Sequence, residues 1–321
     1  MRKMLLVRKV LSMRKVSQQG KKFSRRYLFV VCLCMLFSGT GLTSTVRLTG
    51  TVNVFGADYP VFRQIQYSFT LQNRSNRLLK KAEFWTYGPV KQTATQRCVS
   101  IEASYPYQLI TDDSGNQILA FSFENLPPYA IKIITIRAEL EFSELSNQLP
   151  GQDTRAFLLA EEYIESDNPE LSGFARGFQG PEPSKVVENI FHWITENIKY
   201  MGYVKNNRGA LYAFRNRQGD CTEFMNLFIA LCRANTIPAR GIGGYVCPES
   251  STLKAGEYHN WAEFFEDGLW KIADPQKKAL RTNQSAYVAM MITGESSQNP
   301  TGKFSQFRFS GDGLYVEMMD E

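Results

Sequence analysis

The sequence contains little histidine and little cysteine. Among 321 residues there are two histidines and six cysteines, and no two cysteines have the CxxC spacing of common zinc sites. Intervals of eleven, fifteen and twelve residues separate Cys221, Cys232, Cys247 and His259. A carboxylate-rich loop of the kind that binds calcium is also missing from the sequence. The sequence therefore predicts no metal and no other cofactor, and it has too few cysteines for a disulfide scaffold at this size.

Long apolar runs and low-complexity segments are missing as well. The longest uninterrupted apolar run has eleven residues. Hydrophobic residues make up 43% of the chain, and glycine raises the apolar share to about half, as in an average globular protein. These figures exclude a disordered, collagenous or multi-spanning membrane protein. A chain of 321 residues is long enough for about two domains, each with its own hydrophobic core.

Acidic residues are absent before Asp58. Ten of the 37 lysine and arginine residues lie within residues 2–26, so this segment accounts for the net charge of +6. The rest of the chain carries 27 basic and 31 acidic residues, a net charge of −4, and has no later basic stripe with interleaved aromatic residues. This charge does not suit a protein that binds a phosphate backbone, so we predict no nucleic-acid partner.

Residues 1–44 are predicted to be a signal peptide. Residues 2–26 are basic, residues 27–37 are apolar, and small residues follow. Eleven residues span about 16 Å as a helix, well short of a ~30 Å hydrocarbon core, which favours a cleaved signal over a permanent anchor at residues 27–37. Ser24-Arg25-Arg26 fits a twin-arginine export signal, and an ordinary basic n-region fits these residues equally well. We expect an exported protein, located in the periplasm, the cell envelope or outside the cell.

Residues 45–145 are predicted to be a β-rich, sandwich-like domain. Apolar and polar residues alternate with a period of two in residues 46–54, 65–72 and 134–142, and turn-forming clusters separate these runs. One-sided alternation in several short strands favours a mainly antiparallel sandwich. No residue cluster in this domain suggests chemistry, so we interpret it as a structural or binding module.

Residues 146–183 are predicted to be a connector with one short helix. We place that helix near residues 153–164 and expect Asp167-Asn168-Pro169 to end it. Beyond the connector, residues 184–200 have the helical period, with apolar side chains on one face. His192 falls on the opposite face, among polar and charged residues, so we predict that it is exposed to solvent and not catalytic.

Cys221 is the candidate nucleophile. It follows Gly219-Asp220 and precedes an apolar helical stretch, TEFMNLFIALCRAN. In the first turn of a helix, unpaired N–H groups and the positive end of the helix dipole favour a thiolate. Cys232 lies deep in the same stretch and is predicted to be a core residue, while Cys247 follows a strand and has no helix terminus to activate it. Position alone therefore favours Cys221.

A β-hairpin is predicted to bring His259 close to Asp274. Asp267-Gly268 is a strong two-residue turn signal. Counting back from this turn puts Trp261 opposite Asp274, and His259 shares a face with Trp261. His259 and Asp274 are then diagonal neighbours, about 7–8 Å apart at the backbone and within side-chain reach. A carboxylate in this place can fix the tautomer of the imidazole while the other ring nitrogen meets a thiol. The alternative is a histidine and an aspartate that only end their strands.

The segment from Asn207 to Asp274 resembles the transglutaminase-like superfamily. RGALYAFRNRQGDCTEF, LCRANTIPARGIGGY and YHNWAEFFEDGLWKIADP carry the resemblance, in this order and at family spacing. It implies an α+β protein in which residues 184–321 are a catalytic domain with a papain-type core, an antiparallel sheet packed against the cysteine-bearing helix. It also implies that Cys221 is the nucleophile, that His259 is its base and later the acid, and that Asp274 orients His259.

A few positions depart from the family pattern or have no match in it. Thr236 stands where glycine is usual, and we expect Asn235 to take the left-handed turn instead. No tryptophan or glutamine upstream of Cys221 matches a family oxyanion donor, which leaves the backbone N–H of Cys221 as the candidate. Tyr200 and Tyr203 are predicted to pack in the core, with a place beside the site as the alternative.

The reaction implied by the resemblance is acyl transfer through a thioester on Cys221. The thiolate attacks an amide carbonyl, His259 protonates the leaving amine, and the thioester passes to water or to a second amine. We expect hydrolysis of peptide or protein amides by an exported peptidase or amidase, with protein cross-linking as the closest alternative. A non-catalytic cell-envelope binding module with a relict triad is the alternative of a different class. The expected partner is a peptide or protein substrate, and association with the cell envelope stays open.

Overall fold

Strands dominate the first part of the described chain, and helices enter in the second. The structure is a computed structural model that describes residues 57–151, 153–294, 302 and 306–320, so the predicted signal peptide lies outside the described residues. The strands are β1 (Val61–Asn73), β2 (Leu79–Gly88), β3 (Gln96–Ala103), β4 (Gln108–Thr111), β5 (Gln117–Leu126), β6 (Ile131–Phe142), β7 (Lys199–Tyr200), β8 (Gln218–Gly219), β9 (Ala239–Val246), β10 (Ser251–Thr252), β11 (His259–Glu266), β12 (Leu269–Asp274), β13 (Ala279–Leu280), β14 (Tyr287–Thr293), β15 (Phe307–Ser310) and β16 (Leu314–Met318). The α-helices are α1 (Pro169–Ala175), α2 (Pro183–Asn197), α3 (Gly209–Asn216) and α4 (Cys221–Ala234).

Two mainly antiparallel sheets form the β-rich part of the fold. One has the strand order β10-β1-β6-β3, with β16 also paired to β1, and the other has the order β15-β2-β5-β4. Alternate side chains of β1, among them Tyr67, Phe69 and Leu71, are buried between the sheets, which is the period-two pattern read from the sequence. The rings of Phe69 and Phe84 join the two sheets with centroids 4.8 Å apart. Burial of each such side chain contributes about 1.5–3 kcal/mol.

Strands from much later in the chain complete these two sheets. In the first sheet, β10 pairs in parallel with β1 and β16 pairs antiparallel to the other end of β1. In the second sheet, β15 pairs antiparallel to β2. Parts of the range predicted as the catalytic domain thus lie in the sheets of the β-rich region. The domain boundaries 45–145, 146–183 and 184–321 stay predictions.

A third sheet packs against α4 and forms the α+β core that follows the β-rich region. Its strand order is β13-β12-β11-β9-β14, and all of its pairs are antiparallel. The helix is buried over most of its length because it packs against this sheet on one side and against α1, α2 and α3 on the other sides. Phe228 of α4 and Phe264 of β11 meet with ring centroids 6.0 Å apart. The predicted fold class, with an antiparallel sheet against a cysteine-bearing helix, is confirmed.

Glycines in β9 allow its neighbours to approach closely. A Cβ atom on Gly241, Gly243 or Gly244 would lie closer than 3.0 Å to an atom of a neighbouring strand or side chain. At Gly244 the obstacle is the carbonyl oxygen of Val288 in β14, and at Gly243 it is the hydroxyl of Tyr258. This strand therefore has no room for larger residues at the level where β11 begins.

The connector helix lies elsewhere than predicted. Residues Arg155–Leu158 form a short 3₁₀ turn, while the α-helix of the connector is α1, which starts at Pro169. The side chain of Asn168 accepts a hydrogen bond from the backbone N–H of Glu170 at 2.9 Å. Asparagine at the N-cap followed by proline at the first helical position starts a helix. The Asn168-Pro169 pair therefore begins α1, and the predicted role of ending a helix at residues 153–164 is wrong.

The left-handed residue after α4 also differs from the prediction. Thr236 has φ 61°, whereas Asn235 has φ −99°. The Asn235 side-chain amide instead donates to the backbone oxygens of Ala175 and Leu231, at 3.0 Å each. Because Asn235 is held by these bonds, Thr236 takes the position at which glycine is usual.

Candidate active site

Cys221 is the first residue of α4, and a capping box fixes the turn that carries it. The Asp220 side chain accepts a hydrogen bond from Thr222 N at 2.8 Å, and the Glu223 side chain accepts one from Asp220 N at 3.0 Å. This reciprocal pair satisfies two of the N–H groups that a helix start leaves without a partner. Cys221 itself is half-buried. The predicted start of the helix at the cysteine is confirmed.

Glu223 ties this turn to the preceding loop. Its carboxylate is fully buried, accepts from Arg208 N at 3.0 Å, and forms an ion pair with the Arg208 guanidinium at 2.9 Å. The hydrogen bond between the guanidinium and the Glu223 carboxylate raises the pKa of Arg208. Gly219 lies so close to Glu223 that a Cβ atom there would overlap the glutamate side chain. The residues just before and after Cys221 are thus held by polar contacts and by close packing.

The hairpin that carries His259 and Asp274 has the predicted register. Asp267 and Gly268 have φ 54° and 80°, the left-handed values of a two-residue turn, and Glu266 pairs with Leu269. At the open end of this hairpin, His259 Nε2 lies 2.7 Å from Asp274 Oδ2. The two side chains are therefore diagonal neighbours that meet.

Asp274 is held on both of its carboxylate oxygens. It is 1% exposed, and its Oδ2 accepts from the Tyr287 hydroxyl at 3.0 Å as well as meeting His259. Its Oδ1 accepts from the backbone N–H of Lys277 at 3.0 Å. The negative charge of Asp274 raises the pKa of Tyr287 further above the value that burial alone gives it. A carboxylate with three partners has one orientation, and that orientation fixes the imidazole ring.

The environment of His259 favours its protonated form. Burial alone lowers its pKa, but the hydrogen bonds to Asp274 and to Cys221, with the charges of both groups, outweigh burial and raise the pKa to about 9. Nε2 is engaged by Asp274, so Nδ1 is the ring nitrogen available to Cys221. The three residues singled out from the sequence are thus brought together, with His259 between Cys221 and Asp274.

The other cysteines that the structure describes, and the other histidine, lie apart from this cluster. Burial raises the pKa of Cys98 and of Cys247 to about 11, and it raises the pKa of Cys232 further still. Cys232 is fully buried, as predicted for a core residue. His192 lies on α2 and is exposed, again as predicted. Among the described cysteines, Cys221 alone stands at a helix start beside a histidine.

Residues 200–203, whose backbone pairs with the residues just before Cys221, carry exposed apolar side chains, and a core position was predicted for two of them. Tyr200 is 49%, Met201 44% and Tyr203 83% exposed. Backbone hydrogen bonds tie this segment to the residues before Cys221, since Tyr200 lies beside Gly219 in the parallel β7–β8 pair. The prediction that Tyr200 and Tyr203 pack in the core is wrong because this pairing holds the segment at the surface. Burial raises the pKa of Tyr200, and so do the charges of Cys221 and Asp220.

Asn260 is a site residue that the sequence reasoning missed. Its Nδ2 donates to Thr222 Oγ1 at 3.0 Å and lies 3.9 Å from Cys221 Sγ. The strand parity of β11 was a signal that could have found it, because Asn260 shares the α4-facing side with Ala262 and Phe264.

Within the described ranges, no three His, Cys, Asp or Glu side chains lie close enough together to hold a metal ion. No helix in those ranges is both long and apolar enough to cross a membrane.

Comparison with known proteins places this cluster in a recognised core. Residues 172–275, which include Cys221, His259 and Asp274, match the family model described as the transglutaminase-like superfamily. An uncharacterized protein of Mycobacterium leprae is 27% identical over 108 residues, which are 32% of this chain. The matched part spans 38% of the length of that relative.

Two solved structures show similarity over larger parts of the chain. A candidate cysteine protease from Cytophaga hutchinsonii has 20% identity and a TM-score of 0.52, over 81% of this chain and 92% of that one. The periplasmic domain of TgpA from Pseudomonas aeruginosa, bound to ethylmercury, has 15% identity and a TM-score of 0.35, over 64% of this chain and 92% of that one. The likeness to the Cytophaga hutchinsonii protein extends the shared fold beyond the matched core.

Proposed function

We propose that the chain, whose residues 172–275 match the transglutaminase-like superfamily, is an exported, thiol-dependent acyl-transfer enzyme that acts on peptide or protein amides. In this proposal Cys221 is the nucleophile, His259 is its base and later the acid, and Asp274 orients His259. The final acyl acceptor is water, so the enzyme is a peptidase or amidase.

The observation that carries the proposal is the position of His259 between Cys221 and Asp274. His259 Nε2 lies 2.7 Å from Asp274 Oδ2, and the raised pKa of His259 depends on hydrogen bonds to both partners. A protonated imidazole beside a thiol at a helix start favours the thiolate–imidazolium pair from which cysteine nucleophiles react. The alternative, two residues that only end their strands, does not account for a carboxylate that is 1% exposed and bonded to the ring.

The proposed reaction has two halves. In the first, Cys221 Sγ forms a bond to the amide carbonyl carbon, and the carbon–nitrogen bond breaks as His259 gives its proton to the leaving amine. In the second, His259 removes a proton from water, the hydroxide oxygen bonds to the thioester carbon, and the Cys221 thiolate leaves. During each half the carbonyl oxygen carries negative charge, and the backbone N–H of Cys221 at the start of α4 is a donor for it.

The surface next to Cys221 suits a peptide chain. Tyr200, Met201 and Tyr203 present apolar area, and backbone bonds hold their segment in place. A substrate side chain that covers this area gains hydrophobic contact without ordering a loop. Peptides with an apolar side chain near the cleaved amide are therefore the expected substrates.

The experiment that tests the proposal uses the full chain and a set of peptide p-nitroanilides. Release of p-nitroaniline measures acylation, and mass spectrometry of the quenched protein locates the acyl group. The proposal requires an acyl adduct on Cys221 that is absent from Cys221→Ala and present in Cys247→Ala. An adduct on another cysteine, or turnover retained by Cys221→Ala, would contradict it.

The same reactions separate hydrolysis from cross-linking. With a biotinylated primary amine present, a hydrolase releases mainly free acid, and a cross-linking enzyme transfers the acyl group to the amine. A protein that forms no adduct with any peptide and whose Cys221 resists iodoacetamide is instead a binding module with a relict triad.

Export is the part of the proposal that rests on the sequence alone. The basic and apolar segments of residues 1–44 are the features of a secretory signal. Amino-terminal sequencing of protein isolated from its native host is expected to give a first residue between about positions 40 and 47. An intact Met1 on membrane-bound protein would support an anchor at residues 27–37.

A further inference from the structure

The side-chain amide of Asn260 contacts the side chains of two neighbouring residues, Cys221 and Thr222. Its Nδ2 donates to Thr222 Oγ1 at 3.0 Å and lies 3.9 Å from Cys221 Sγ. A side-chain amide nitrogen carries two hydrogens, so the bond to Thr222 leaves the second one for the sulfur. Thr222 thereby sets the direction of an N–H group that faces the nucleophile.

The fold provides a space for this amide. Asn260 lies on the side of β11 that faces α4, and its Cα partner in β9 is Gly243. A Cβ atom on Gly243 would lie 3.2 Å from Asn260 Oδ1 and would overlap the hydroxyl of Tyr258. The glycine thus leaves room for two polar side chains beneath the sulfur, one of which is the asparagine.

We propose that Asn260 is a positioning residue for the nucleophile: its amide bridges Thr222 Oγ1 and Cys221 Sγ, holds the sulfur beside His259, and gives the thiolate an N–H donor. This inference rests on the proposed function, since it assigns a role within the same site. Asn260 immediately follows His259 in β11, so the one strand holds both the base and this donor at fixed distance from the first turn of α4.

The amide acts on a sulfur that several ionisable groups surround. His259 faces it from the start of β11, Tyr258 precedes that strand, and Tyr200 faces it from β7; each of these three has a pKa shift to which Cys221 contributes. Asp220 caps the helix below. The imidazolium attracts the thiolate, and the Asp220 carboxylate repels it. A neutral N–H donor stabilises the thiolate without adding a charge to this set.

The test is the rate of iodoacetamide alkylation of Cys221 as a function of pH, followed by mass spectrometry of the cysteine-containing peptides. Asn260→Leu keeps the approximate size of the side chain and removes both N–H groups. Its profile is expected to move to higher pH by about one unit, because the free energy of a hydrogen bond to the charged thiolate corresponds to a pKa difference of about that size. Asn260→Asp adds a negative charge and is expected to move the profile further.

Two further variants separate the bridge from general effects. Thr222→Val removes the acceptor that orients the amide, and is expected to move the profile in the same direction by a smaller amount. Asn216→Leu is the matched control, because Asn216 is an exposed asparagine at the end of α3 whose amide bonds only a backbone oxygen of its own helix. Its profile is expected to coincide with that of the wild-type protein.

Each outcome decides the matter. If the pH profiles of Asn260→Leu and Thr222→Val both match that of the wild type, the inference is overturned and the proposed function stands. Alkylation by iodoacetamide forms no oxyanion, so an unchanged profile with lost peptide turnover would make Asn260 an oxyanion donor instead. If Cys221 of the wild type is no more reactive than the half-buried Cys98, the proposed function fails, and the same data set shows it. If Asn260→Leu does not fold, the Thr222→Val profile decides alone.

Discussion

Replacement of Asp274 by asparagine tests the central contact of the site. The pKa of His259 stands at about 9, against 6.5 for an unperturbed histidine. Each unit of difference corresponds to about 1.4 kcal/mol, so the protonated ring is stabilised in the folded protein by about 3 kcal/mol. Asp274→Asn removes the charge and leaves burial opposed only by Cys221, so the pKa of His259 is expected to fall back towards its ordinary value.

The sign of the effect on stability follows from the direction of the shift. A histidine whose pKa is raised by folding stabilises the fold fully below pH 6.5, and this contribution is lost as the pH rises through about 9. Asp274→Asn should therefore have a lower free energy of unfolding than the wild type. The difference between the two proteins should be about 3 kcal/mol larger at pH 6 than at pH 10. Urea unfolding at closely spaced pH values between these limits measures the difference.

A matched control keeps the charge and removes one partner. In Tyr287→Phe, Asp274 loses the hydroxyl that donates to Oδ2 at 3.0 Å but still faces His259. Its stability should fall by about 1 kcal/mol at every pH. A deficit of Asp274→Asn that is the same at pH 6 and pH 10 would refute the reasoning, because it would show that the carboxylate does not favour the imidazolium.

Three further substitutions check other parts of the site. Cys221→Ala should abolish turnover in the p-nitroanilide assay, and Cys247→Ala, the control, should keep full turnover. By calorimetry, Cys221→Ala should melt within a few degrees of the wild type, since a half-buried residue at a helix start contributes little packing. Glu223→Gln should cost about 2 kcal/mol in urea unfolding because the buried carboxylate loses its charge-assisted bond to Arg208; an unchanged midpoint would contradict the account of the capping box. Tyr203→Ser should leave stability unchanged, because its side chain is 83% exposed, and should raise KM for peptides with an apolar side chain severalfold at constant kcat; an unchanged KM would remove Tyr203 from the substrate surface.

The geometry of the site could be predicted from the sequence because the signals that specify it are local. An Asp-Gly pair sets the register of a hairpin, and that register alone brings His259 within reach of Asp274. A helix that begins at Cys221 needs only the capping residues on either side of it. These signals act over fewer than twenty residues, and the structure follows them.

The surroundings of the site depend on contacts that no local pattern contains. Tyr200 has a large aromatic side chain of the kind often found in a core, but its parallel pairing with Gly219 holds it at the surface. The orientation of Asp274 depends on Tyr287, which comes from a strand on the far side of β9. The Asn168-Pro169 pair was a local signal that was read in the wrong direction, since the same residues can follow one helix or begin the next.

The pairing of β16 with β1 has a consequence for the order of folding. Leu71 and Val316 are register partners although 244 intervening residues separate them, so this contact has a very high contact order. During synthesis, one edge of β1 stays open over residues 69–73 until the strand at 314–318 has left the ribosome. An open edge of this kind can pair with other chains. Released chains that end before residue 314 and released chains that include residues 314–318 should therefore differ in protease resistance, and the difference should include the segment of β1.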